Sequence, residues 1–300
     1  MRRYETIDIG PVQQDFWAEV ACIWEVTSRK VGNVRPKADF PATSLIDFLL
    51  SAAAIRTVFR WTGHMSTGRL ILRATQETRS LVGNNTNLGI ILLLAPLLSS
   101  FAQERTFRLA IADTLTGLTV QDAENAYQAI RIASPGGLGS APEQDVREKP
   151  TVTLLEAMTL AADRDMVARQ YANGFADVFD FGVPTFLEGF ASSGSIEAGV
   201  IDLQLRWLAA YPDSLIARKN GPTAAEDVRQ RAGEVMRLGG IATAEGRRAG
   251  VALDAYLRSD GNRLNPGTTA DLITACLFVA LRENKVVPSA PFRWQVQDWL

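Results

Sequence analysis

Hydrophobic residues recur at helical spacing along most of the chain, and few stretches alternate as strands do. Two stretches, residues 86–102 and 268–283, are apolar on nearly every side, which predicts buried central helices. The pattern therefore predicts an all-α fold, compact and of about ten helices. The predicted helices cover residues 12–26, 44–61, 86–102, 107–115, 119–133, 153–179, 195–210, 223–238, 242–257 and 268–283.

Residues 134–150 form the best linker candidate, because they are rich in glycine, proline and charge. However, neither half of the chain shows a self-contained helical pattern, and the two buried helices need covering on all sides. We therefore predict a single domain over residues 1–300, with a long functional loop at 134–150.

Composition narrows the class of protein. The chain has 300 residues, 47% of them hydrophobic, and a formal net charge of −2, so the basic excess typical of nucleic-acid binders is absent. No apolar run approaches a membrane span, and the first residues lack the apolar stretch of a signal peptide. We expect a soluble, cytoplasmic protein that binds neither nucleic acid nor membrane.

The cysteines and the single histidine exclude several chemistries. Cys22 and Cys276 have apolar neighbours, which predicts buried, reduced thiols rather than a disulfide or a zinc site. His64 follows Trp61-Thr-Gly, which predicts an exposed turn residue. With one imidazole in the chain, a Ser-His-Asp triad is not expected.

Five loops share an unusual content of Gly, Asn, Thr and Lys or Arg. They cover residues 29–40, 83–89, 134–139, 216–221 and 264–271. The second and the fifth lead into the buried helices, whose first N–H groups favour a bound anion. Ordinary helix capping is the alternative, since Asn85 and Thr268 are good N-caps. Together the loops indicate phosphate recognition.

Two carboxylates stand out by position. Asp165 falls on the apolar face of the helix predicted at 153–179, so it must be paired, metal-bound or shifted in pKa. A structural pair with Arg169, at i+4, and a catalytic or Mg²⁺-binding acid both remain open. Glu25 lies near a predicted helix C-terminus, where the helix dipole disfavours a negative charge. This position indicates either an ion pair with Arg29 or Lys30 or a role in a functional site.

Read in order, these segments resemble the triphosphoribosyl-dephospho-CoA synthase family, and the resemblance covers nearly the whole chain. The blocks that carry it are Glu25-Val26, Lys30-x-Gly32-Asn33-Val34, Asp39-Phe40, Asp47-Phe48, Asn85-Thr86-Asn87-Leu88-Gly89-Ile90, Pro135-Gly-Gly-Leu-Gly139, Asp163-Arg164-Asp165, Gln170-Tyr-Ala-Asn173-Gly, Asp213-Ser-Leu-Ile-Ala-Arg218-Lys219-x-Gly221 and Asn265-Pro-Gly-Thr-Thr-Ala-Asp271.

The resemblance implies an all-α, cytoplasmic enzyme that uses ATP with Mg²⁺. In the family reaction, the ribose 2′-OH of 3′-dephospho-CoA attacks C1 of the ATP ribose, adenine leaves, and a triphosphoribosyl group is transferred. The product is the precursor of the prosthetic group of an acyl carrier protein. The expected partners are therefore ATP and dephospho-CoA, or another cofactor precursor as acceptor, and a homodimer is left open.

The resemblance also implies roles for particular residues. The expected catalytic carboxylates are Glu25, Asp163 and Asp165, and Asp163, Asp165 and Asp271 are the expected Mg²⁺ ligands. The residues expected to bind nucleotide are Lys30, Gly32, Asn33, Asn85, Thr86, Asn87, Gly136, Gly137, Asn173, Arg218, Lys219, Asn265, Gly267 and Thr268.

The first loop departs from the family pattern. Family members commonly read Pro-Lys-Pro-Gly-Asn-Val-His, whereas residues 29–35 read Arg-Lys-Val-Gly-Asn-Val-Arg. Two rigid residues are replaced, and a permanent cation stands where a titratable ring is usual. The alternatives are a related transferase for another acceptor in pterin or furan cofactor synthesis, a catalytically altered nucleotide-binding homologue, and a helical binding protein without catalysis.

Overall fold

The helices follow one another with short connections and one long loop. A computed structural model describes residues 14–101 and 106–300, and within them it has fourteen α-helices and no strand. They are α1 (Gln14–Thr27), α2 (Leu45–Phe59), α3 (Thr67–Val82), α4 (Leu88–Ser99), α5 (Phe107–Thr116), α6 (Val120–Ala133), α7 (Leu154–Ala161), α8 (Met166–Ala172), α9 (Val183–Ser193), α10 (Ile196–Ala210), α11 (Ser214–Asn220), α12 (Pro222–Arg237), α13 (Ala244–Arg258) and α14 (Gly267–Arg282).

Two helices form the centre of the fold, as the sequence predicts. In α4, ten of the twelve residues are buried, and in α14 every residue from Leu272 to Leu281 is buried. Helix α14 packs against α4 and also contacts α1, α10 and α9. The prediction of an all-α fold around buried central helices is therefore confirmed for the described residues.

The hydrophobic core has two parts. The larger cluster joins α1 to α9, one side of α10 and α14, and the smaller one joins the other side of α10 to α11, α12 and α13. The last residues of the chain have no regular structure, yet Trp299 is buried in the smaller cluster. The polar loops are thus held between two packed halves that share α10.

The predicted number of about ten helices is wrong, since the described residues contain fourteen. Helices α3, α9 and α11 lie outside the predicted segments. On its buried side, α3 carries Leu70, Ile71, Ala74, Thr75 and Thr78 at helical spacing, so the helical pattern is present in the sequence and the prediction overlooked it. Gly68 lets α3 approach α6, because a Cβ there would overlap the backbone of Asp122.

The long helix predicted at 153–179 is also wrong. Helix α7 ends at Ala161 and α8 begins at Met166, with Asp165 between them as its N-cap. The chain breaks again at Gly174 and Phe175, which both have positive φ, before a π-helical turn at Asp177–Gly182. Because Asp165 bonds the N–H groups of Val167 and Ala168, its local cap competes with a continuous helix.

Several smaller predictions are confirmed. Cys22 and Cys276 are buried and free, and His64 is exposed. The helix predicted at 119–133 is confirmed as α6, which starts at a capping box formed by Thr119 and Asp122. Among the described helices, none has the length and apolar content needed to cross a bilayer. Residues 12, 13 and 102, at the ends of two predicted helices, lie outside the described residues.

Candidate functional site

A cleft of about 1430 Å³ opens where four helix N-termini meet. The first residues of α4, α8, α11 and α14 line it, together with the end of α1 and residues 134–136, 138–141 and 143–146 of the long loop. Its volume exceeds the roughly 300–1,000 Å³ of a typical small-ligand pocket, so it has room for two substrates. N-terminal N–H groups from several helices make this a favourable place for anions.

Asp213 fixes two of these N-termini to each other. Its buried carboxylate accepts from the N–H groups of Leu215 and Ile216 at the start of α11, at 2.9 and 3.1 Å. It also accepts from the N–H and the hydroxyl of Thr269 in α14, both at 2.8 Å. Burial raises its pKa, whereas these hydrogen bonds lower it. Asp213 is therefore a structural tie behind the cleft.

Asp271 differs from Asp213 in having no partner. It lies in the second turn of α14, lines the cleft, and makes no hydrogen bond or ion pair with any described residue. A Cβ on Gly89 would overlap its Oδ2, so the glycine is needed for α4 to lie beside this carboxylate. Burial, and then the charges of Glu25, Asp213 and Asp165, raise its pKa well above the usual range. Arg218 opposes this rise, but it forms no ion pair with Asp271 in the described residues.

Glu25 is tied to Lys30, one of the two partners that the sequence predicts. Lys30 Nζ lies 2.8 Å from Glu25 Oε1 and also donates to the Glu25 carbonyl oxygen. Both side chains are buried, and burial raises the pKa of Glu25 while Lys30 opposes the rise. Glu25 lines the cleft but Lys30 does not, so the lysine holds the carboxylate from behind.

Of the two alternatives left open for Asp165, the structural pair with Arg169 is wrong. Asp165 Oδ2 accepts from Arg218 Nη1 at 2.9 Å, across the cleft lining, and Arg169 pairs with Asp177 instead. The break between α7 and α8 turns Asp165 away from the helix face on which i+4 pairing depends. Asp163, two residues earlier, is exposed at the cleft and has no polar partner among the described residues.

Arg218 and Lys219 bring positive charge to the cleft from α11. Arg218 Nε donates to the Gly136 carbonyl at 3.2 Å, and Gly137 packs so closely on Arg218 that a Cβ there would overlap its carbonyl. Lys219 Nζ donates to Asn265 Oδ1 at 3.1 Å. Burial, and then Arg218, lower the pKa of Lys219. We refer to Asp165, Arg218, Lys219 and Asp271 as the charged end of the cleft.

The asparagine loop before α4 also lines the cleft. Asn85 Oδ1 accepts from the N–H of Leu88, the first residue of α4, but the N-cap residue is Asn87. The N-cap residue of α14 is Pro266 and Thr268 lies inside the helix, so the two N-caps expected from the sequence are wrong. The hydroxyls of Thr86 and Ser51 are 2.5 Å apart, and Asn87 Nδ2 donates to the Ser51 carbonyl at 3.4 Å. The loop is thus fixed to α2, with its first residues facing the cleft.

In the first loop, most of the charge is already neutralised. Arg29 binds Glu197 through two nitrogens, at 2.9 and 3.1 Å, and Arg35 binds Asp254 at 2.9 Å. Other loop residues serve as connections: the Gly32 N–H donates to Asp254, and Asn33 bonds Gln204 and the Pro266 carbonyl. This loop positions the end of α1 and offers little free charge to a ligand.

The structure thus brings most of the predicted site residues together. The predicted residues that line the cleft are Glu25, Asn33, Asn85, Thr86, Asn87, Gly136, Asp163, Asp165, Arg218, Lys219, Asn265, Gly267, Thr268 and Asp271. The four that lie outside its lining are Lys30, Gly32, Gly137 and Asn173. Asn173 donates to Asp177 at 2.9 Å, in the network that also holds Arg169.

The sequence analysis missed an apolar part of the site. Ala157, Met158, Leu160 and Ala161 of α7 line the cleft, although α7 belongs to a segment whose apolar face we expect to be ordinary core. We refer to these four residues as the apolar wall. Periodicity could not have revealed it, because an apolar face looks the same in sequence whether protein or ligand covers it.

The described side chains do not by themselves provide a complete set of metal ligands. Within the described part of the chain, no group of three or more His, Cys, Asp or Glu side chains is placed to hold an ion. Mg²⁺ commonly binds through one or two carboxylates together with substrate phosphates and water. The partnerless Asp271, surrounded by other negative charges, fits that mode of binding.

The geometry defines an all-α protein with a large anion-favouring cleft, and sequence comparison identifies its family. The profile of the CitG family, ATP:dephospho-CoA triphosphoribosyl transferase, matches residues 14–289. The chain therefore belongs to this family, as the motifs in the sequence predict.

Individual relatives are more distant. The chain is 34% identical over 113 residues to the "Probable 2-(5''-triphosphoribosyl)-3'-dephosphocoenzyme-A synthase" of Pseudomonas putida, and 31% identical over 115 residues to the protein of the same name from Pseudomonas savastanoi pv. phaseolicola. These matches cover 37% and 38% of this chain and 40% and 39% of the relatives.

A solved structure extends the similarity to the fold. The crystal structure of an Archaeoglobus fulgidus protein, provisionally assigned as a triphosphoribosyl-dephospho-CoA synthase, matches with a TM-score of 0.61 and 28% identity. The match covers 78% of this chain and 98% of that one.

Proposed function

We propose that this chain is a single nucleotide-binding transferase domain that moves the triphosphoribosyl group of ATP to the ribose 2′-OH of 3′-dephospho-CoA and releases adenine. Membership of the CitG family supports the reaction. The observation that carries the proposal is the cleft, where the polar segments shared with the family converge around the partnerless Asp271. A helical binding protein would not need such an unneutralised carboxylate.

The charged end suits the triphosphate. Arg218 and Lys219 supply two cations, and N–H groups at the starts of α4 and α14 supply neutral donors nearby. Asp165 binds Arg218 Nη1, so its role is to orient the guanidinium while Arg218 keeps other donors for phosphate oxygens. This assigns Asp165 to positioning rather than to proton transfer.

Glu25 is the best-placed base. In the reaction, the bond from the acceptor 2′-oxygen to C1 of the ATP ribose forms, and the bond from C1 to N9 of adenine breaks. The electron pair of that bond leaves with adenine, which takes up a proton from solvent, and the hydroxyl proton passes to Glu25 and from there back to solvent. Burial raises the pKa of Glu25, which makes its carboxylate a stronger base, while Lys30 keeps it in place.

Asp271, with Asp163 at the rim, would hold Mg²⁺ together with the triphosphate. The ion would neutralise negative charge on the phosphates, and the protein residues would fix their orientation. Positive charge that develops at C1 of the ribose is stabilised by the surrounding carboxylates.

The test is direct. Purified protein is incubated with ATP, Mg²⁺ and dephospho-CoA, and the products are separated and weighed by mass spectrometry. We expect free adenine and an acceptor that has gained one triphosphoribosyl group. ATP binding without adenine release from dephospho-CoA would contradict the proposal and direct the search to acceptors of pterin or furan cofactor synthesis.

A further inference from the structure

The apolar wall leads towards the charged end of the cleft. The N–H of Leu154 donates to the Thr119 carbonyl at 3.2 Å, which places the start of α7 beside the start of α6. From there the eight residues of α7 extend about 12 Å, and the chain then reaches Asp165, which binds Arg218. An apolar surface thus continues into a cationic one.

The long loop covers the same part of the cleft. Tyr127 Oη donates to the Gln144 carbonyl at 2.6 Å, and Arg218 Nε donates to the Gly136 carbonyl, so the loop is fixed to α6 and to α11. It adds Leu138 to the lining. The loop therefore forms a second side to the compartment that begins at the apolar wall.

The compartment keeps apolar side chains in contact with solvent. Leu138 is 38% exposed and Leu160 is 47% exposed, although both line a concave surface. Covering them with an apolar group is favourable, and Met158 is a side chain that adapts readily to an irregular ligand. A concave, apolar surface with cations at one end fits a ligand with a flexible, uncharged arm that contains methylene and methyl groups and is attached to phosphates.

Of the two proposed substrates, only the acceptor has such an arm. We propose that the apolar wall and Leu138 bind the pantetheine arm of dephospho-CoA, and that this contact selects the acceptor. The inference rests on the proposed function for the identity of the acceptor. ADP carries the same adenosine diphosphate without the arm, so it provides a matched probe.

The test combines binding with turnover. Calorimetric titration should show that dephospho-CoA binds about 100-fold more tightly than ADP, because several methylene groups are buried. Ala157→Phe should fill the compartment and reduce that preference about 10-fold or more, with the KM for ATP changed less than about 2-fold. Thr159→Phe, which adds the same ring to the exposed side of α7, should leave both unchanged.

A second variant avoids the risk of misfolding. Leu138→Asp changes an exposed loop side chain, so the fold should persist, and dephospho-CoA binding should weaken several-fold while ADP binding stays the same. Equal affinity for ADP and dephospho-CoA in the unaltered protein would overturn the inference. So would an Ala157→Phe variant that raises the KM for ATP alone, since the compartment would then hold the adenine of ATP.

The two proposals fail separately. Tight binding of dephospho-CoA that depends on the arm, without adenine release, would contradict the reaction and support the compartment. If dephospho-CoA reacts but binds no more tightly than ADP, the proposed reaction is supported and the proposed role of the compartment is contradicted.

Discussion

Two basic segments of this chain are alike in sequence and opposite in how their charge is used. Residues 29–37 contain four cations. Arg29, Lys30 and Arg35 form ion pairs with buried or nearly buried carboxylates, and Lys37 is exposed. At the end of α11, Arg218 keeps only part of its guanidinium in an ion pair, and Lys219 bonds a neutral asparagine.

The difference lies in the surrounding acids. Around the first loop, Glu25, Glu197 and Asp254 each meet a cation, so the loop acts as a scaffold. At the charged end, Asp271 meets none among the described residues, and charge is left over on both sides. The composition of the sequence therefore identifies the polar loops. The charges left without a partner in the structure identify the part of the cleft that we propose binds a ligand. Four substitutions test this contrast.

The largest effect is expected at Asp271. Asp271→Asn should reduce adenine release about 100- to 1,000-fold, because the carboxylate that faces the cleft is lost. The melting temperature should stay the same or rise, since a half-buried carboxyl group without a partner among the described residues is replaced by a neutral amide. Asp260→Asn, at an exposed aspartate paired with Arg263, is the control and should retain activity. Full activity in Asp271→Asn would remove this residue from the site.

Lys30 should affect stability rather than binding. Lys30→Met leaves Glu25 charged and buried without its partner, which costs about 3–5 kcal/mol of unfolding free energy, measured by urea denaturation. The double variant Lys30→Met/Glu25→Gln should recover much of that loss, because neither charge remains. A large rise in the KM for ATP with unchanged stability would instead show that Lys30 reaches the nucleotide.

The sequence predicts contacts between residues that are close along the chain better than contacts between residues that are far apart along it. The capping box at Thr119 and the tie from Glu25 to Lys30 are local, and both were predictable from spacing. The pairing of Asp165 with Arg218 joins residues 53 positions apart, and nothing in the local pattern favours it over Arg169. The motifs placed most site residues at the cleft, but their partners depend on tertiary packing.

Helix prediction failed for a related reason. Helix α11 has seven residues, and Asp213 caps it and bonds Thr269 of α14, which supplies stability that a hydrophobic period does not show. The cap formed by Asp165 likewise divides a segment whose periodicity continues through it. Asp165 and Asp213, which hold helix ends in place, are polar residues whose role the hydrophobic pattern does not reveal.

Lys219 should give a moderate, pH-dependent effect. Lys219→Met should raise the KM for ATP about 10-fold, through loss of a charge-assisted contact with phosphate. Burial and Arg218 lower the pKa of Lys219 from 10.5. Phosphate binding needs the charged form, so affinity is full below the lowered pKa and declines as the pH rises through it. Lys219→Arg should remove that decline, and an identical pH profile in both proteins would contradict the assignment.

The smallest effect is expected at Asn173, which the resemblance assigns to nucleotide binding and the structure places outside the cleft lining. Its Nδ2 is one of three side-chain donors to Asp177, with Arg169 and Gln170. Asn173→Ala should therefore lower the unfolding free energy by about 1–2 kcal/mol and change the KM for ATP less than about 2-fold. Steady-state kinetics and urea denaturation separate the two roles, because a nucleotide contact would raise the KM without affecting stability. Lower stability with an unchanged KM would show that Asn173, like the polar residues of the first loop, stabilises the fold and does not contact the nucleotide.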